Sequence, residues 1–130
     1  MALECINPPD LPVPSTYSQV VIATGTKMIF IAGQEPEGLD GKLVGAGDLN
    51  VQARQVFTNL GRALKAAGAK PTDVTKISIY IVNYDRDTCL PIIEAARVEL
   101  FGEHKPADTI LGVATLSPGY LVEVDAVAVV

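Results

Sequence analysis

Short β-branched runs alternate along the chain with stretches of helical spacing, and the changes of period predict the elements. Residues 18–23 (SQVVIA) form one such run, closed by Thr24, Gly25, Thr26 and Lys27. Residues 28–32 (MIFIA) follow at once, so the pair is expected as a hairpin. Asp48 and Asn50 are both suited to cap a helix running to about Ala67. Val56, Phe57, Leu60, Ala63, Leu64 and Ala67 make its apolar stripe; Gly68 supplies the stop and Pro71 prevents continuation. Residues 74–82 (VTKISIYIV) read as a strand with Ile77, Ile79 and Ile81 on one face.

Asp85 and Asp87 offer caps for a second helix, with Leu90, Ile93, Arg97 and Leu100 near one face and Gly102 at its end. Pro91 is expected in its first turn, where the missing N–H does least harm. Residues 109–113 and 121–130 close the chain as strands around Leu116, Ser117, Pro118 and Gly119. The order β-β-α-β-α-β-β implies an α+β domain, two helices on one face of a mixed sheet. In the last strand Glu123 and Asp125 are expected on one face, with Val122, Val124 and Val127 on the other. From Ala126 onward every position is apolar, so both faces are expected to be buried there. Two helices cover one sheet face, and the other is expected to pack against another subunit.

Composition narrows the class. A chain of 130 residues with 48% apolar positions suits one domain over the whole of residues 1–130. Residues 1–14, with four prolines and no basic-then-apolar pattern, read as an extended arm rather than a secretory signal. No apolar run approaches the roughly 20 residues that span a bilayer, so no membrane partner is expected. The net charge of −5 and scattered Lys and Arg argue against nucleic acid. Cys5, Cys89 and the single His104 make neither a disulfide framework nor a zinc site, and a cytoplasmic protein without metal or cofactor is expected.

Candidate chemistry is sparse. No Ser-His-Asp or Cys-His pairing can be argued. His104, between Glu103 and Lys105, reads as a solvated loop residue. Cys89 reads as a small, half-buried residue, although its place near a helix start favours a thiolate. Glu123 and Asp125 form a carboxylate pair on one strand face, a weak signal for acid–base chemistry. The loop glycines Gly38, Gly41, Gly45 and Gly47 lie in no GxxxxGK[ST] pattern, which removes a phosphate loop of that kind.

An ordered set of short motifs nevertheless stands out. Tyr17-Ser18-Gln19, Gly33-Gln34, Gln52-Ala53-Arg54-Gln55, Asn59-Leu60, Ala66-Ala67-Gly68, Asp73-Val74, Lys76, Phe101-Gly102 and Pro106-Ala107 occur in order. With the closing Val122-Glu123-Val124-Asp125-Ala126-Val127-Ala128, they resemble the RidA/YjgF/YER057c (L-PSP-like) family from about Tyr17 to Val130. The resemblance implies a chorismate-mutase-like fold, a homotrimer, and ligand clefts between subunits. Active relatives hydrolyse enamines and imines such as 2-aminoacrylate, gripping the substrate carboxylate with an arginine directly after the Pro-Ala pair.

Here that position is Asp108, and the serine common before Gly-Gln is Ala32. The resemblance implies a catalytic role for Glu123, as the water-positioning carboxylate; Asp108 reads either as a second catalytic carboxylate of a retuned site or as a solvated residue in a cleft without chemistry. The resemblance assigns substrate contacts to Tyr17, Ala32, Gly33, Gln34 and Thr109. Loss of a charge-assisted pair to a buried carboxylate costs about 3–5 kcal/mol, which weakens an anionic imine by several powers of ten. A subgroup lacking the deaminase arginine is therefore expected to bind or transform a neutral or cationic small metabolite by C–N hydrolysis. The usual imine deaminase and a non-catalytic binding or scaffold protein remain as alternatives. A ribonuclease gains little from the acidic balance and lone histidine.

Overall fold

Strict alternation in two strands decides the architecture. A computed structural model describes residues 2–130. It contains β1 (Ala2–Ile6), β2 (Val20–Thr24), β3 (Met28–Gln34), α1 (Leu49–Ala66), β4 (Val74–Val82), α2 (Arg86–Phe101), β5 (Ala107–Val113) and β6 (Val122–Val129). Ile77, Ile79 and Ile81 of β4 lie beside Ala126, Val124 and Val122 of β6, and all six are buried. Their common face meets the α1 stripe of Ala53, Val56, Phe57, Leu60 and Leu64, and Cys89, Ile93, Ala96 and Phe101 of α2. Each large side chain so buried contributes about 1.5–3 kcal/mol. The expected α+β arrangement, two helices on a mixed sheet, is the one observed.

The main sheet runs β3-β6-β4-β5, with β4 and β5 parallel across the α2 connection and the other pairs antiparallel. Asp48 caps α1, its side chain accepting from the Val51 N–H at 3.2 Å, and Gly68 takes the left-handed backbone (φ +76°) just beyond it. Asp85 caps α2.

The structure departs from the sequence pattern at four places. β2 and β3 do not form a hairpin. The N–H groups of Thr26 and Lys27 both donate to the Val130 carbonyl, and the Val130 N–H donates back to Lys27. These bonds extend the β3–β6 ladder by one residue, and β2 lies outside the main sheet. It pairs instead with β1, a strand within the segment expected only as an extended arm. Ser18 donates through N and Oγ to the carbonyls of Pro106 and Lys105, so β2 runs from the start of β5 toward the start of β3, passing β4.

Val127, second, follows the parity of Glu123 and Asp125 rather than that of Val122 and Val124, because alternation is unbroken. Third, Pro91 sits one turn deeper in α2 than expected, as its sixth residue. Fourth, His104 is half-buried rather than solvated. Its Nε2–H donates to the Val74 carbonyl at 2.8 Å and its ring meets the edge of Phe101.

Candidate functional site

Parity sorts the site residues before any contact is measured. Glu123 lies beside Tyr80, in the β4 row that faces away from the helices. Asp108 lies beside Ile77, in the row that faces them. Within one chain the two carboxylates therefore point to opposite faces of the sheet and cannot share a proton or a water.

On the helix side Asp108 has a partner. Arg97 of α2 donates from Nη1 to Asp108 Oδ2 at 2.6 Å, and the two side chains are 3% and 6% exposed. The charge expected to repel an anionic substrate is already neutralised. Arg97 was legible as an oddity: it falls on the otherwise apolar stripe of α2, where a charge needs a buried partner. Glu94, one turn earlier, carries no such signal.

Tyr17, Asp108 and Thr109 come together, with Tyr84, Arg86 and Glu94, around an open cavity of about 620 Å³. The N-terminal segment forms one wall, held by Gln19, whose Nε2 donates to the Pro12 carbonyl and whose N–H donates to Asn7 Oδ1. Burial is the main cause that raises the Glu94 carboxyl above its ordinary value, and Asp108 adds to it, while Thr16 and Arg97 oppose.

Ala32, Gly33, Gln34 and Glu123 form a second group, where β3 meets β6. A Cβ at Gly33 would collide with the Glu123 carboxylate, so glycine there lets the carboxylate lie on the β3 backbone. Gln34 turns back, its Nε2 donating to the Ala32 carbonyl at 3.0 Å. Gly33 and Gln34 also line an open concavity of about 500 Å³ with Glu35, Glu37, Asn59 and Arg62. Asn59 Nδ2 donates to the carbonyls of Glu35 and Glu37 and fixes that loop.

Burial first, then Glu35 and Asp125, pushes the Glu123 carboxyl up. A carboxyl so placed takes up and releases a proton nearer to neutrality than an exposed one, which suits general acid–base work. Asp125 is occupied by the Tyr80 hydroxyl, which donates to it at 2.8 Å. No three His, Cys, Asp or Glu side chains gather at metal-ligating distance among the described residues. None of their helices is long and apolar enough to cross a membrane.

The two groups stand apart in one chain. β3 and β5 are the outer strands of the main sheet, three strand spacings or roughly 14 Å from each other.

A family model described as Endoribonuclease L-PSP matches residues 10–130. The RutC family protein PH0854 of Pyrococcus horikoshii is 36% identical over 113 residues, covering 86% of this chain and 85% of its own. A 2-iminobutanoate/2-iminopropanoate deaminase of Dermatophagoides farinae is 32% identical over 126 residues, covering 96% and 94%. Among solved structures, the conserved Rid-family protein of unknown function YyfB from Yersinia pestis superposes with a TM-score of 0.92. It is 34% identical, with 100% of both chains covered.

Proposed function

The chain belongs to the L-PSP family of Rid proteins, and from that premise we propose that three copies bind or transform a small metabolite in clefts between them. The carrying observation is the division of the site residues between two sides of one sheet. A cleft containing both groups needs the β3–β6 side of one chain against the β5 edge of the next. Such a head-to-tail contact repeats until a ring closes. Met28, Phe30 and Leu111, 64%, 73% and 47% exposed, lie on the sheet face away from the helices and supply apolar surface for it. Light scattering tests the assembly; a monomer at every concentration would refute it.

The chemistry favoured is hydrolysis at a C–N bond, with Glu123 positioning or deprotonating a water. Residue 108 offers no arginine to a substrate carboxylate, so the 2-aminoacrylate type of deamination lacks its usual clamp. The Arg97 pair also removes the repulsion that a bare Asp108 would exert, so an anionic group elsewhere on the ligand is not penalised. Ammonia release from neutral imines and amide-like compounds is the assay. Glu123→Gln is expected to lower it by about 10²–10⁴-fold; equal turnover would remove Glu123 from the mechanism. Ligand-dependent thermal stabilisation without product would instead establish a binding protein.

A second reading is the deaminase activity for which the Dermatophagoides relative is named, favoured by 32% identity across 96% of this chain. Keto acid release from freshly generated 2-aminoacrylate would establish it. The exposed Cys5 thiol and buried Cys89 thiol, both unpaired, fit the reducing cytoplasm proposed as the protein's compartment.

A further inference from the structure

The cavity beside β5 presents charged groups in three different conditions. Asp108 is matched by Arg97. Arg86, in the first turn of α2, is exposed at the rim with no carboxylate at ion-pair distance among the described residues. Glu94, about two turns further along the same helix, is half-buried with the Thr16 hydroxyl beside its carboxyl, while its Oε2 is sealed from water without a hydrogen-bond partner. Arg97, one turn beyond, is 2% exposed and has its Nη2 in the same condition.

Buried polar atoms nearly always have partners, and the few that lack one call for an unseen group that pairs them. Here one orphan is an acceptor and the other a donor, on adjacent turns of one helix face. Both residues line a recess of about 50 Å³, which adjoins the large cavity along Ser15, Thr16 and Glu94. A water needs roughly 10–15 Å³ of such space, so the recess admits a head of a few heavy atoms and no more.

Resting on the cleft reading above, we propose that this cavity takes a short-chain carboxylate that ends in an amide or carbamoyl head. The head enters the recess: its N–H donates to Glu94 Oε2 and its carbonyl oxygen accepts from Arg97 Nη2. The carboxylate at the other end pairs with Arg86. Arg86 and Glu94 lie eight residues apart on α2, about 12 Å of helix rise, and their side chains shorten that span to the length of a small ligand. An amide edge sets one donor beside one acceptor, as the two orphans require, whereas an ammonium or a second carboxylate leaves one of them unmet. Ser15 and Thr16 form the recess wall within a segment that has no regular structure between β1 and β2.

The test is an amide-resonance titration of the isotope-labelled full chain with succinamate, glutaramate, butanoate and butanamide. Succinamate or glutaramate is expected to move the resonances of Arg86, Glu94 and Arg97, and to bind at least about tenfold more tightly than either one-ended probe. Arg86→Gln is expected to remove about tenfold from the two-ended probes and leave butanamide unchanged. Glu94→Met is expected to weaken the two-ended probes and butanamide and leave butanoate unchanged; the same spectra report folding. Glu94→Gln repeats the measurement if the methionine variant does not fold, with a smaller loss in the same probes. Shifts confined to another part of the surface, or two-ended binding indifferent to both variants, would overturn the proposal. Binding at these amides, with no Glu123-dependent ammonia release from the imines and amide-like compounds, would remove the hydrolase reading and keep this one. Glu123-dependent turnover with no such binding would do the reverse.

Discussion

Removing Asp108 tests what its carboxylate does. In Asp108→Ala the Arg97 guanidinium remains on the helix side of the sheet, 3% exposed, with Nη1 and Nη2 both unpaired. Breaking a buried ion pair by deleting one partner costs about 3–5 kcal/mol, because an uncompensated charge stays behind. A domain of this size is stable by about 5–15 kcal/mol, so the loss is a large share of the whole. At about 3–5 °C for each kcal/mol, the melting temperature is expected to fall by about 10–20 °C. Urea denaturation at one fixed protein concentration is the measurement, because assembly makes stability concentration-dependent. Replacing both partners by apolar residues of similar volume, Arg97→Met with Asp108→Leu, is expected to restore stability to within about 1 kcal/mol of the parent. A loss below about 1 kcal/mol in Asp108→Ala would show that the pair is solvated. A double variant as unstable as the sum of the single ones would show that the residues do not act on each other. Either result would return Asp108 to candidacy as a free carboxylate in the cleft.

Other expectations follow from the same geometry. Glu123 has its carboxyl pushed above the ordinary 4.5, so its protonated form is favoured in the fold, and its contribution to stability is present below that value and lost as pH rises. Glu123→Gln should therefore gain stability relative to the parent between about pH 4 and pH 7 in parallel urea titrations; an unchanged difference would mean that Glu123 is solvated. Gly33→Ala displaces the Glu123 carboxylate and should lower Glu123-dependent turnover while costing only about 1 kcal/mol of stability by thermal melts. Gln52 is fully buried, donating from Nε2 to the Gly45 and Gly119 carbonyls and accepting from the Leu121 N–H. Gln52→Ala orphans all three groups and should cost about 3 kcal/mol or more in urea denaturation. Phe30→Asp on the sheet face away from the helices should abolish assembly in light scattering while leaving the helical circular dichroism signal intact.

The sequence by itself determined the elements whose signal is local. Period, caps and stops are decided within a few residues, so Asp48 before α1, Asp85 before α2, the glycines after each helix, and the alternation of β4 and β6 could all be read directly. Glu123 and the Gly33-Gln34 pair were legible as motif residues for the same reason. Partner choice was not. The sequence did not show that β2 pairs with β1 rather than β3, or that Thr26 and Lys27 give their N–H groups to Val130, more than 100 residues away. Asp108 could be named as the residue in the arginine's place, but its meaning depended on Arg97, brought to it by the turn from α2 into β5. A charge alone in sequence counts at full value; one 2.6 Å from its opposite, out of water, is largely neutralised. Parity along a strand fixes which face a residue takes, but only packing decides which face the helices cover, and so only the tertiary structure separated Asp108 from Glu123.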